Sequence, residues 1–575
     1  MITRKTRNLE IKPSYDVVII GAGASGLTTA AILSRMGHSV CVLEMDSRPG
    51  GYLAGFRRKD YRFDSAIHWL NQCGPGGMVT KVFGLIGNDY PRAEQQNRVR
   101  RYKGESFDYL LTNNPDEFRD QLIADFPHEE KGIIRFFRDS KKLAIPFKNY
   151  DPVFRTMETM NMLEKPIFGL RMLAFAIPFI HYLKYQGEEG IVKGLKKYFT
   201  DQRIMDIFCS EMDMMSCMVP IAWAYNKDFQ LPPVGGSQVF PEWLEHVISE
   251  YDNDVFFKCK VTKILMEGKL AKSVQFEHRG EIMEVEGKYI VAACDAQTLF
   301  EKMLPQEIVP KKQITKLENA HLYSSSCTIS LALDCTAEEI GFGEEMVFFS
   351  KDGIERSAHS SGDPETSGII VLAPTARDKS LAPEGCGTLT LYTSAYFDYE
   401  DNWRCEKGPD GTLIRGEAYK ELKQWYADII IKRIEALMDT DIQSHIVYCD
   451  VATPITHWRY TGNRDGSMMG ARPGKDNIKA GVAHYKTPVK NVFLSGHWAE
   501  LGGGVPIAVK TATNAALLVL QGLNKQTSKG LSGYMSGKYN IDEARKKMKF
   551  LEYKENYRMD PTPAQKKGAN KESEE

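Results

Sequence analysis

The sequence predicts an α/β fold built around a parallel sheet, and three features of its N-terminal region carry that prediction. Val17 to Ile20 form a continuous apolar run, as expected for a strand buried on both faces. Gly21-Ala22-Gly23-Ala24-Ser25-Gly26 follows at once and opens a stretch of helical composition that ends at Gly37. A second apolar run, Val40 to Leu43, closes on Glu44. Together they predict a strand–helix–strand unit of the Rossmann type.

The glycines and the acid of this unit have separate structural tasks. Gly21 permits a tight turn, Gly23 lets the backbone approach a pyrophosphate, and Gly26 lets the helix pack against the strand. The helix N-terminus then offers free N–H groups to the phosphates. Glu44 follows by about 20 residues, where a carboxylate accepts from both hydroxyls of an adenosine ribose. The predicted dinucleotide-binding residues of this unit are Gly21, Ala22, Gly23, Ser25, Gly26, Glu44 and Met45.

The segment after the acid indicates which dinucleotide binds. Asp46 to Gly51 holds a second glycine pair, which a nicotinamide-binding unit does not need. It resembles the Arg-x-Gly-Gly of the flavoprotein superfamily of phytoene desaturases and amine oxidases, in which this segment lies along FAD. The resemblance implies FAD contacts by Arg48, Gly50 and Gly51. No Cys or His in the sequence marks a covalent attachment, so we expect noncovalent FAD.

Composition and charge limit the classes of function and the compartment expected for this chain. The chain has 575 residues, enough for two or more domains, and a formal net charge of -1, which gives no field to recruit nucleic acid. Its 11 cysteines form no CxxC pair or Cys/His cluster in sequence, so no metal site is expected and a reducing compartment fits. The N-terminus lacks the apolar core of a secretory signal, and no apolar run reaches the length of a membrane span. We therefore expect a cytoplasmic protein.

The resemblance implies a Rossmann-type, amine-oxidase-like FAD-binding domain interleaved with an α+β substrate domain. Motifs and strand patterns divide the chain into six predicted segments. These are a first FAD-binding segment (14–74), a helical region of the substrate domain (75–230), a second FAD-binding segment (231–300), a substrate-domain sheet with helices (301–485), a third FAD-binding segment (486–524), and a C-terminal helix with a disordered tail (525–575).

Two further positions in the first half are predicted from the same resemblance. Phe63 to His68 resembles a segment that crosses the flavin face, which makes His68 a candidate proton donor; the alternative is a hydrogen-bonded structural histidine. Gly235-Gly236-Ser237 resembles the start of the second FAD-binding segment. The resemblance then implies that Val261 covers the adenine through its backbone.

The last glycine-rich loop predicts contacts to the flavin ring. A short strand ends at Gly496, and Gly502-Gly503-Gly504-Val505-Pro506 leads into a predicted helix from Ile507 to about Gln521. Pro506 suits the first helical position because its missing N–H has no partner to lose there. In the superfamily this helix points at the pyrimidine edge of the flavin. The implied contacts are Gly496, Gly504, Val505 and Pro506, and Glu500 in this loop is a second catalytic candidate.

The order of these motifs, with the turn Ala382-Pro383-Glu384-Gly385, resembles the phytoene desaturase, carotenoid isomerase and retinol saturase family over residues 14–522. The family usually has Ser-Gly where this chain has Lys510-Thr511. The resemblance implies an FAD enzyme that saturates, desaturates or isomerises C–C double bonds of a long lipophilic molecule, such as a carotenoid, a retinoid or another polyene lipid. Without a second dinucleotide motif, a diffusing NAD(P)H, a quinone or another redox protein is the expected electron partner.

Two other functions stay open on this fold. A flavin amine oxidase would cage its amine with aromatic side chains, for which Trp69 and Trp498 are available. A non-catalytic lipid carrier would resemble the Rab GDP-dissociation inhibitors, although the intact glycines and Glu44 argue against it.

Ile167 to Leu183 predicts a helix that is apolar nearly all round but interrupted by Gly169, Arg171, Pro178 and His181. Such a helix is either buried in the core or inserted in a bilayer interface. Because a polyene dissolves in lipid, the hypothesis is peripheral membrane association. Nothing in the sequence predicts the oligomeric state.

Overall fold

The computed structural model describes residues 10–559 except 149–153, 210, 212 and 410. The predicted disordered tail, 561–575, lies outside the described residues.

Twenty strands are formed by the described residues. They are β1 (Ser14–Ile20), β2 (Val40–Leu43), β3 (Gly55–Arg58), β4 (Tyr61–Asp64), β5 (Glu94–Gln95), β6 (Arg98–Lys103), β7 (Asp108–Thr112), β8 (Gln230–Leu231), β9 (Asp254–Phe256), β10 (Cys259–Glu267), β11 (Leu270–His278), β12 (Glu281–Ala292), β13 (Ser325–Leu333), β14 (Met346–Phe349), β15 (Ile369–Leu372), β16 (Gly387–Ala395), β17 (Glu406–Lys407), β18 (Leu413–Ile414), β19 (Ile446–Ala452) and β20 (Val492–Leu494).

The α-helices of the same residues alternate with these strands. They are α1 (Ala24–Arg35), α2 (Met78–Ile86), α3 (Pro115–Asp125), α4 (Glu130–Lys148), α5 (Glu164–Ile180), α6 (Gly187–Leu195), α7 (Gln202–Asp206), α8 (Met214–Tyr225), α9 (Val239–Ser249), α10 (Ala296–Thr298), α11 (Lys311–Glu318), α12 (Pro374–Arg377), α13 (Glu400–Trp403), α14 (Glu417–Met438), α15 (Pro454–Thr461), α16 (Lys475–Ala480), α17 (Gly504–Leu523), α18 (Lys525–Met535) and α19 (Ile541–Met548).

The first sheet confirms the predicted α/β fold class. Its strands run in the order β10-β11-β12-β1-β2-β9, and β20 also pairs with β12. The central pairs β12–β1, β1–β2, β2–β9 and β12–β20 are parallel, as expected for fully buried apolar strands. Helices α1, α9 and α17 pack together beside this sheet. Its strands come from three separate stretches of the chain, and the glycine loops at 21–26 and 496–504 follow β1 and β20, which both pair with β12.

The second sheet is mixed and has two different faces. Its order is β19-β13-β16-β15-β14-β6-β7, with β14 and β6 parallel and the other pairs antiparallel. Alternate residues such as Leu389 and Leu391 pack in a core with α14. The opposite row, with Phe348, Ile370 and Tyr392, belongs with the helical core formed by α3, α4 and α8. The sheet therefore separates α14 from the helical region of the molecule.

The exposure of helix α5 decides between the two alternatives predicted for Ile167 to Leu183, a core helix and a helix in a bilayer interface. Phe168 is its one buried residue, whereas Leu170, Leu173 and Ile177 are 70%, 53% and 59% exposed. A core helix is therefore excluded, because most of its large side chains are on the surface. None of the helices in the described stretches of the chain combines the length and apolar character needed to cross a bilayer.

The C-terminal region contains more structure than the sequence predicts. Helix α18 was not expected, and it packs against α19. Helix α19 begins with a capping box: the Asn540 side chain accepts from the Glu543 N–H, and the Glu543 carboxylate accepts from the Asn540 N–H. Past α19, Phe550 and Tyr553 lie over the Arg35 guanidinium of α1, at 4.9 and 5.2 Å. This stretch therefore packs onto the first domain.

Candidate functional site

A cavity of about 1720 Å³ extends from the glycine loops of the first sheet to the helical face of the second sheet. Sites for a single small molecule typically measure about 300–1,000 Å³, so this cavity has room for a dinucleotide and a further ligand. The predicted dinucleotide-binding residues that line it are Gly21, Gly23, Ser25, Glu44, Met45, Gly50, Gly51, Val261, Gly496, Gly504, Val505 and Pro506. Ala22, Gly26 and Arg48 do not line it.

The three glycines of the first loop occupy three different environments. Gly21 has φ of 99°, in the left-handed region that favours glycine. A Cβ on Gly26 would lie 2.0 Å from the Gly21 carbonyl oxygen, so this glycine allows the helix to approach the strand. A Cβ on Gly23 would meet nothing within 4 Å. The space beside Gly23 is therefore open to a ligand.

Helix α1 begins beside that space without a side-chain cap. Gly23 is its N-cap residue and makes no side-chain hydrogen bond to the first turn. Free N–H groups and the positive end of the helix dipole are therefore available to an anionic group. This is the arrangement that a pyrophosphate requires.

Glu44 is buried at the end of β2, where its carboxylate is oriented by two backbone groups. It accepts from the Ala22 N–H at 2.6 Å and from the Asp46 N–H at 2.8 Å. Burial raises the pKa of Glu44, although these two donors oppose the shift. Each oxygen keeps acceptor capacity for a ribose hydroxyl.

The second glycine pair is hydrogen-bonded directly to the first loop. The Gly50 N–H donates to the Ala22 carbonyl at 2.8 Å, and a Cβ on Gly51 would meet Gly23 Cα at 3.5 Å. The Arg48 guanidinium instead donates to the Gly55 carbonyl at 2.5 Å, outside the cavity lining. Its predicted contact with a phosphate or the flavin edge stays a prediction.

Val261 in β10 and Gly496, which follows β20, also line the cavity. A register irregularity in β10 between Val261 and Lys263 interrupts the pairing with β11. Gly496 has φ of 80°, and its N–H donates to Thr511 Oγ1 at 3.0 Å. The Ser25 and Ser495 hydroxyls are 2.5 Å apart, which joins the first loop to the last one.

The last glycine loop leads into α17, which begins earlier than predicted. The helix starts at Gly504, so Pro506 is its third residue rather than its first. The reason is that Gly504, with φ of 81°, turns the chain into the helix before the proline. Gly503 is the N-cap residue and provides no side-chain cap, so the uncapped start of α17 lies at the cavity wall.

His68 lines the cavity and stacks on Tyr392, with ring centroids 3.8 Å apart. Burial lowers the pKa of His68 to about 3, and the nearby Arg377 guanidinium adds to the shift. The ring is therefore neutral at physiological pH, so it does not hold the extra proton of a histidinium acid. Its catalytic role stays a prediction.

Glu500, the second catalytic candidate, lies outside the cavity lining, and its hydrogen bonds indicate a structural role. Its carboxylate accepts from Lys510 Nζ at 2.6 Å and from the Tyr485 hydroxyl at 2.7 Å. Lys510 stands where the family usually has serine, so the unusual residue and Glu500 form one buried pair. The structure favours this ion pair over proton transfer for Glu500.

Several cavity residues were missed from the sequence. Tyr52 follows the second glycine pair directly and donates to the Ser467 carbonyl at 2.8 Å. Arg100 and Glu211 form a buried ion pair at the cavity wall, and Tyr392 projects from the middle of β16. Arg100 had no signal in the sequence, because four of the six residues of its strand β6 are basic. Glu211 and Tyr392 had none either, because their neighbours come from distant stretches of the chain.

The aromatic residues considered for an amine cage are separated. Trp69 and Trp498 both line the cavity. Trp69 packs against His68 and Phe229, with centroids 5.9 and 6.0 Å apart, and its indole N–H donates to Asn71. In the described stretches of the chain, no ring contact joins the two tryptophans.

The fold also brings together a group that the sequence does not show. Side-chain ligand atoms of Asp334, Cys335 and His445 lie within 4.8 Å of one another, and His445 Nδ1 is 2.8 Å from Asp334 Oδ1. The group does not line the cavity. All 11 cysteines are free thiols.

The cavity residues fit FAD on structural grounds. Gly23 leaves open space, Glu44 presents an oriented carboxylate, and two uncapped helix starts face the same cavity. These features suit the pyrophosphate, the adenosine ribose and the flavin pyrimidine of such a dinucleotide.

Comparison with known proteins also indicates a flavoprotein. The family model described as flavin containing amine oxidoreductase matches residues 24–520. The chain is similar to a prolycopene isomerase of Daucus carota, at 24% identity over 507 residues, which cover 85% of this chain and 77% of the relative. It is also similar to an all-trans-retinol 13,14-reductase of Danio rerio, at 23% identity over 556 residues and coverages of 87% and 86%.

A solved structure of putrescine oxidase with bound putrescine superimposes with a TM-score of 0.54 at 13% identity, covering 88% of this chain and 99% of the other. At this identity the likeness shows the fold alone. The retinol reductase and prolycopene isomerase matches confirm the resemblance that the motifs predicted. From the extent of the family match, the chain belongs to the flavin containing amine oxidoreductase family.

Proposed function

We propose that this chain is an FAD-dependent oxidoreductase that saturates, desaturates or isomerises C–C double bonds of a long lipophilic polyene, such as a carotenoid or a retinoid. The observation that carries the proposal is the continuous cavity from the dinucleotide loops to the second sheet. The names of the two curated relatives, a polyene isomerase and a retinol reductase, support the same reaction class.

The residues of this chain have separate tasks in such a reaction. Gly23, Glu44 and the start of α17 bind and orient the cofactor. Apolar side chains on the second sheet and on α5, including Phe348, Ile370 and Phe179, exclude water from the polyene. FAD, when bound, supplies hydride-transfer chemistry. We propose a diffusing NAD(P)H or a quinone as its electron partner.

His68 suits a positioning task better than an acid's task. Its neutral ring is held against Tyr392 and its carbonyl oxygen accepts from Arg377 at 2.7 Å, so the backbone is fixed as well. The stacked pair lies in the cavity wall. We therefore assign proton delivery to water.

We further propose that α5 attaches the protein to a membrane surface. Leu163, Ile167, Leu170, Leu173 and Ile177 are exposed and recur at three- and four-residue intervals, so they share one face. On other faces of the same segment, Phe175, Phe179 and Leu183 line the cavity. A polyene dissolved in lipid could therefore pass along α5 into the site without crossing water.

The helix also has the charges of an interfacial segment. Lys165, Arg171 and Lys184 lie on or beside α5, and Lys148 is exposed at the end of α4, which contacts α5. Cations near an inserted apolar face attract anionic headgroups. Each large aliphatic side chain that leaves water adds about 1.5–3 kcal/mol, which suffices for reversible attachment.

The membrane proposal is tested by liposome flotation of the FAD-loaded protein. Phe175 and Phe179 are unsuitable for this test, because they line the cavity and contact Phe147. The triple substitution Leu170→Ser, Leu173→Ser and Ile177→Ser should instead release the protein while flavin content stays unchanged.

The control for flotation is Ile282→Ser, which removes an equally exposed aliphatic side chain from β12. We expect this variant to float like the wild type. If the wild-type protein stays with the soluble fraction, or if the triple variant still floats, membrane attachment through α5 is wrong.

The reaction class is tested by incubating the purified protein with a conjugated polyene and reduced nicotinamide under anaerobic conditions. A product with one double bond fewer, or with changed double-bond geometry, supports the proposal. Turnover of amines with peroxide release would instead support an amine oxidase. A colourless protein that carries lipid without changing it would support a carrier.

A further inference from the structure

The group of Asp334, Cys335 and His445 lies at one end of the second sheet and outside the cavity lining. Asp334 and Cys335 follow β13 directly, and His445 directly precedes β19, which pairs with β13. The Asp334 N–H donates to the His445 carbonyl at 3.1 Å, so backbone pairing holds these two residues opposite each other. The sequence gave no indication of this group, because 111 positions separate Asp334 from His445.

The side-chain ligand atoms of the group are close to the spacing of a tetrahedral metal site. All three lie within 4.8 Å of one another, and His445 Nδ1 is 2.8 Å from Asp334 Oδ1. With metal–ligand distances of about 2.0–2.3 Å, the ligand atoms of a tetrahedral zinc site are about 3.3–3.8 Å apart. Side-chain movements of at most about 1.5 Å would therefore bring the three atoms to one ion.

A cation can reach this group from solvent. The side chains of Asp334 and His445 are 59% and 39% exposed, and the more deeply buried Cys335 retains 9% exposure. Two of the three ligands are therefore accessible to an entering ion before it meets the thiol. An accessible entry path is a requirement for any metal site.

The charges around His445 also favour a cation. Glu339 and Asp441 both lie within electrostatic reach of the imidazole. Lys379 lies within reach of Glu339, but its ammonium is paired with Glu338. A divalent ion bound by one carboxylate, one thiolate and one neutral imidazole forms a centre with no net charge, so the group needs no further counter-ion.

The donor set selects the class of cation. Carboxylate oxygen, imidazole nitrogen and thiolate sulfur are the ligands that zinc takes in proteins, whereas Ca²⁺ and Mg²⁺ take oxygen ligands. Two other Asp–His pairs, His128–Asp201 at 3.0 Å and His321–Asp476 at 3.7 Å, belong to no group of three ligands in the described part of the chain. The nearby thiol therefore distinguishes the Asp334–His445 pair from an ordinary surface pair.

We propose that Asp334, Cys335 and His445 bind one Zn²⁺ ion, with water in the fourth position. The ion would connect the end of β13 to the start of β19, which is an edge strand of the second sheet. The pairing of these strands is irregular between Ala332 and Leu333, next to the site, so the metal reinforces the sheet where its hydrogen bonding is interrupted. The site is independent of the proposed function, because its residues do not line the cavity.

The first test measures metal binding by the FAD-loaded protein after dialysis against a chelator. Competition with a Zn²⁺-sensitive dye should show one Zn²⁺ ion per chain with a Kd of about 1 μM or lower, and Mg²⁺ should not compete. Co²⁺ then reports the ligands, because thiolate ligation adds a charge-transfer band in the near ultraviolet. A difference spectrum against the metal-free holoprotein removes the flavin absorbance.

Cys335→Ser is the decisive variant. It should weaken Zn²⁺ binding at least about 10- to 100-fold, since the loss of an outer-shell partner alone costs that much, and it should abolish the Co²⁺ charge-transfer band. The matched control is Cys405→Ser, which replaces a cysteine of nearly equal burial outside the group and should bind both metals like the wild type. Asp334→Asn changes an exposed side chain, so it keeps the test valid if Cys335→Ser loses FAD. It should weaken Zn²⁺ binding but retain the thiolate band at saturating Co²⁺.

The structural task of the ion is tested by amide hydrogen exchange. Zn²⁺ should slow exchange in β19 of the wild-type protein and not in Cys335→Ser, and unchanged exchange in the wild type would contradict that task. Zn²⁺ binding only at about 1 mM or above, equal Zn²⁺ affinity of the wild type and Cys335→Ser, or a Co²⁺ spectrum without the thiolate band would overturn the site. These readouts need no turnover, so they stay distinct from a failure of the proposed reaction.

Discussion

Gly23 and Gly26 allow the cofactor-binding loop to be tested separately from the stability of the fold. Both belong to the same glycine motif, but the structure gives them opposite surroundings. A Cβ on Gly26 would lie 2.0 Å from the Gly21 carbonyl oxygen and 3.3 Å from Ile19 Cγ2. A Cβ on Gly23 would meet nothing within 4 Å. The two alanine variants should therefore fail in different ways.

For Gly23→Ala we expect a folded apoprotein with weak FAD binding. Its φ of -71° and ψ of 176° suit alanine, and removing a glycine from the unfolded chain stabilises by about 0.4–1 kcal/mol where the conformation is compatible. The new methyl group would occupy the cavity where the pyrophosphate approaches the backbone. We expect FAD affinity to fall at least about tenfold, or about 1.4 kcal/mol.

For Gly26→Ala the backbone itself must move, because the contact is with a carbonyl oxygen. Overpacking of this kind costs about 1–3 kcal/mol or more, so the apoprotein should unfold at lower denaturant concentration. The assays are urea unfolding of the apoprotein and titration with FAD. If Gly23→Ala binds FAD with wild-type affinity, the pyrophosphate does not lie at this loop and the assignment is wrong.

The remaining predictions concern charge and burial. Glu44→Gln should weaken FAD binding at least about tenfold by equilibrium dialysis, since each charge-assisted hydrogen bond contributes about 1.5–3 kcal/mol; unchanged binding would exclude the ribose contact. Burial lowers the pKa of His68 to about 3 and that of His457 to about 4, so the unfolded chain takes up protons that the folded chain does not. As the pH is lowered from about 6.5, the free energy of unfolding should therefore decrease by about 1.4 kcal/mol per pH unit for each histidine. His457→Gln should reduce that slope. A Tm that does not change between neutral pH and about pH 5 would contradict this prediction. Lys510→Met should lower stability by about 3–5 kcal/mol in urea by leaving Glu500 buried without its cation, and adding Glu500→Gln should recover most of it; equal stability of the two variants would argue against the pair.

The cofactor half of the site was predictable because its signals are local. The glycine loop, Glu44 and the second glycine pair act through backbone geometry over a few residues, and the structure places most of these residues around one cavity. Ala22, Gly26 and Arg48 are the exceptions, and for Arg48 the sequence could not show that the Gly55 carbonyl accepts its hydrogen bond. The start of α17 was misplaced by a few residues, because a glycine with positive φ can open a helix before a proline.

The substrate half was predictable only in outline. Arg100, Glu211 and Tyr392 come from three separate stretches of the chain, and tertiary structure brings all three to the wall of one cavity. Apolar periodicity predicted α5 as a helix but could not decide its exposure, because a core helix and a membrane-facing helix have the same composition. The pairing of Lys510 with Glu500 likewise needs tertiary structure, since a stretch of loop and helix separates the two.

The central claim is that a bound flavin exchanges electrons with a polyene in this cavity. The most direct test is to photoreduce the purified holoprotein without oxygen and add a conjugated polyene while recording the flavin spectrum. The account predicts that the yellow colour returns as the polyene loses one double bond, or that the reduced enzyme changes the polyene's double-bond geometry without net oxidation. A flavin that stays reduced beside an unchanged polyene, in a protein whose oxidised flavin is instead reduced by an amine, would contradict it.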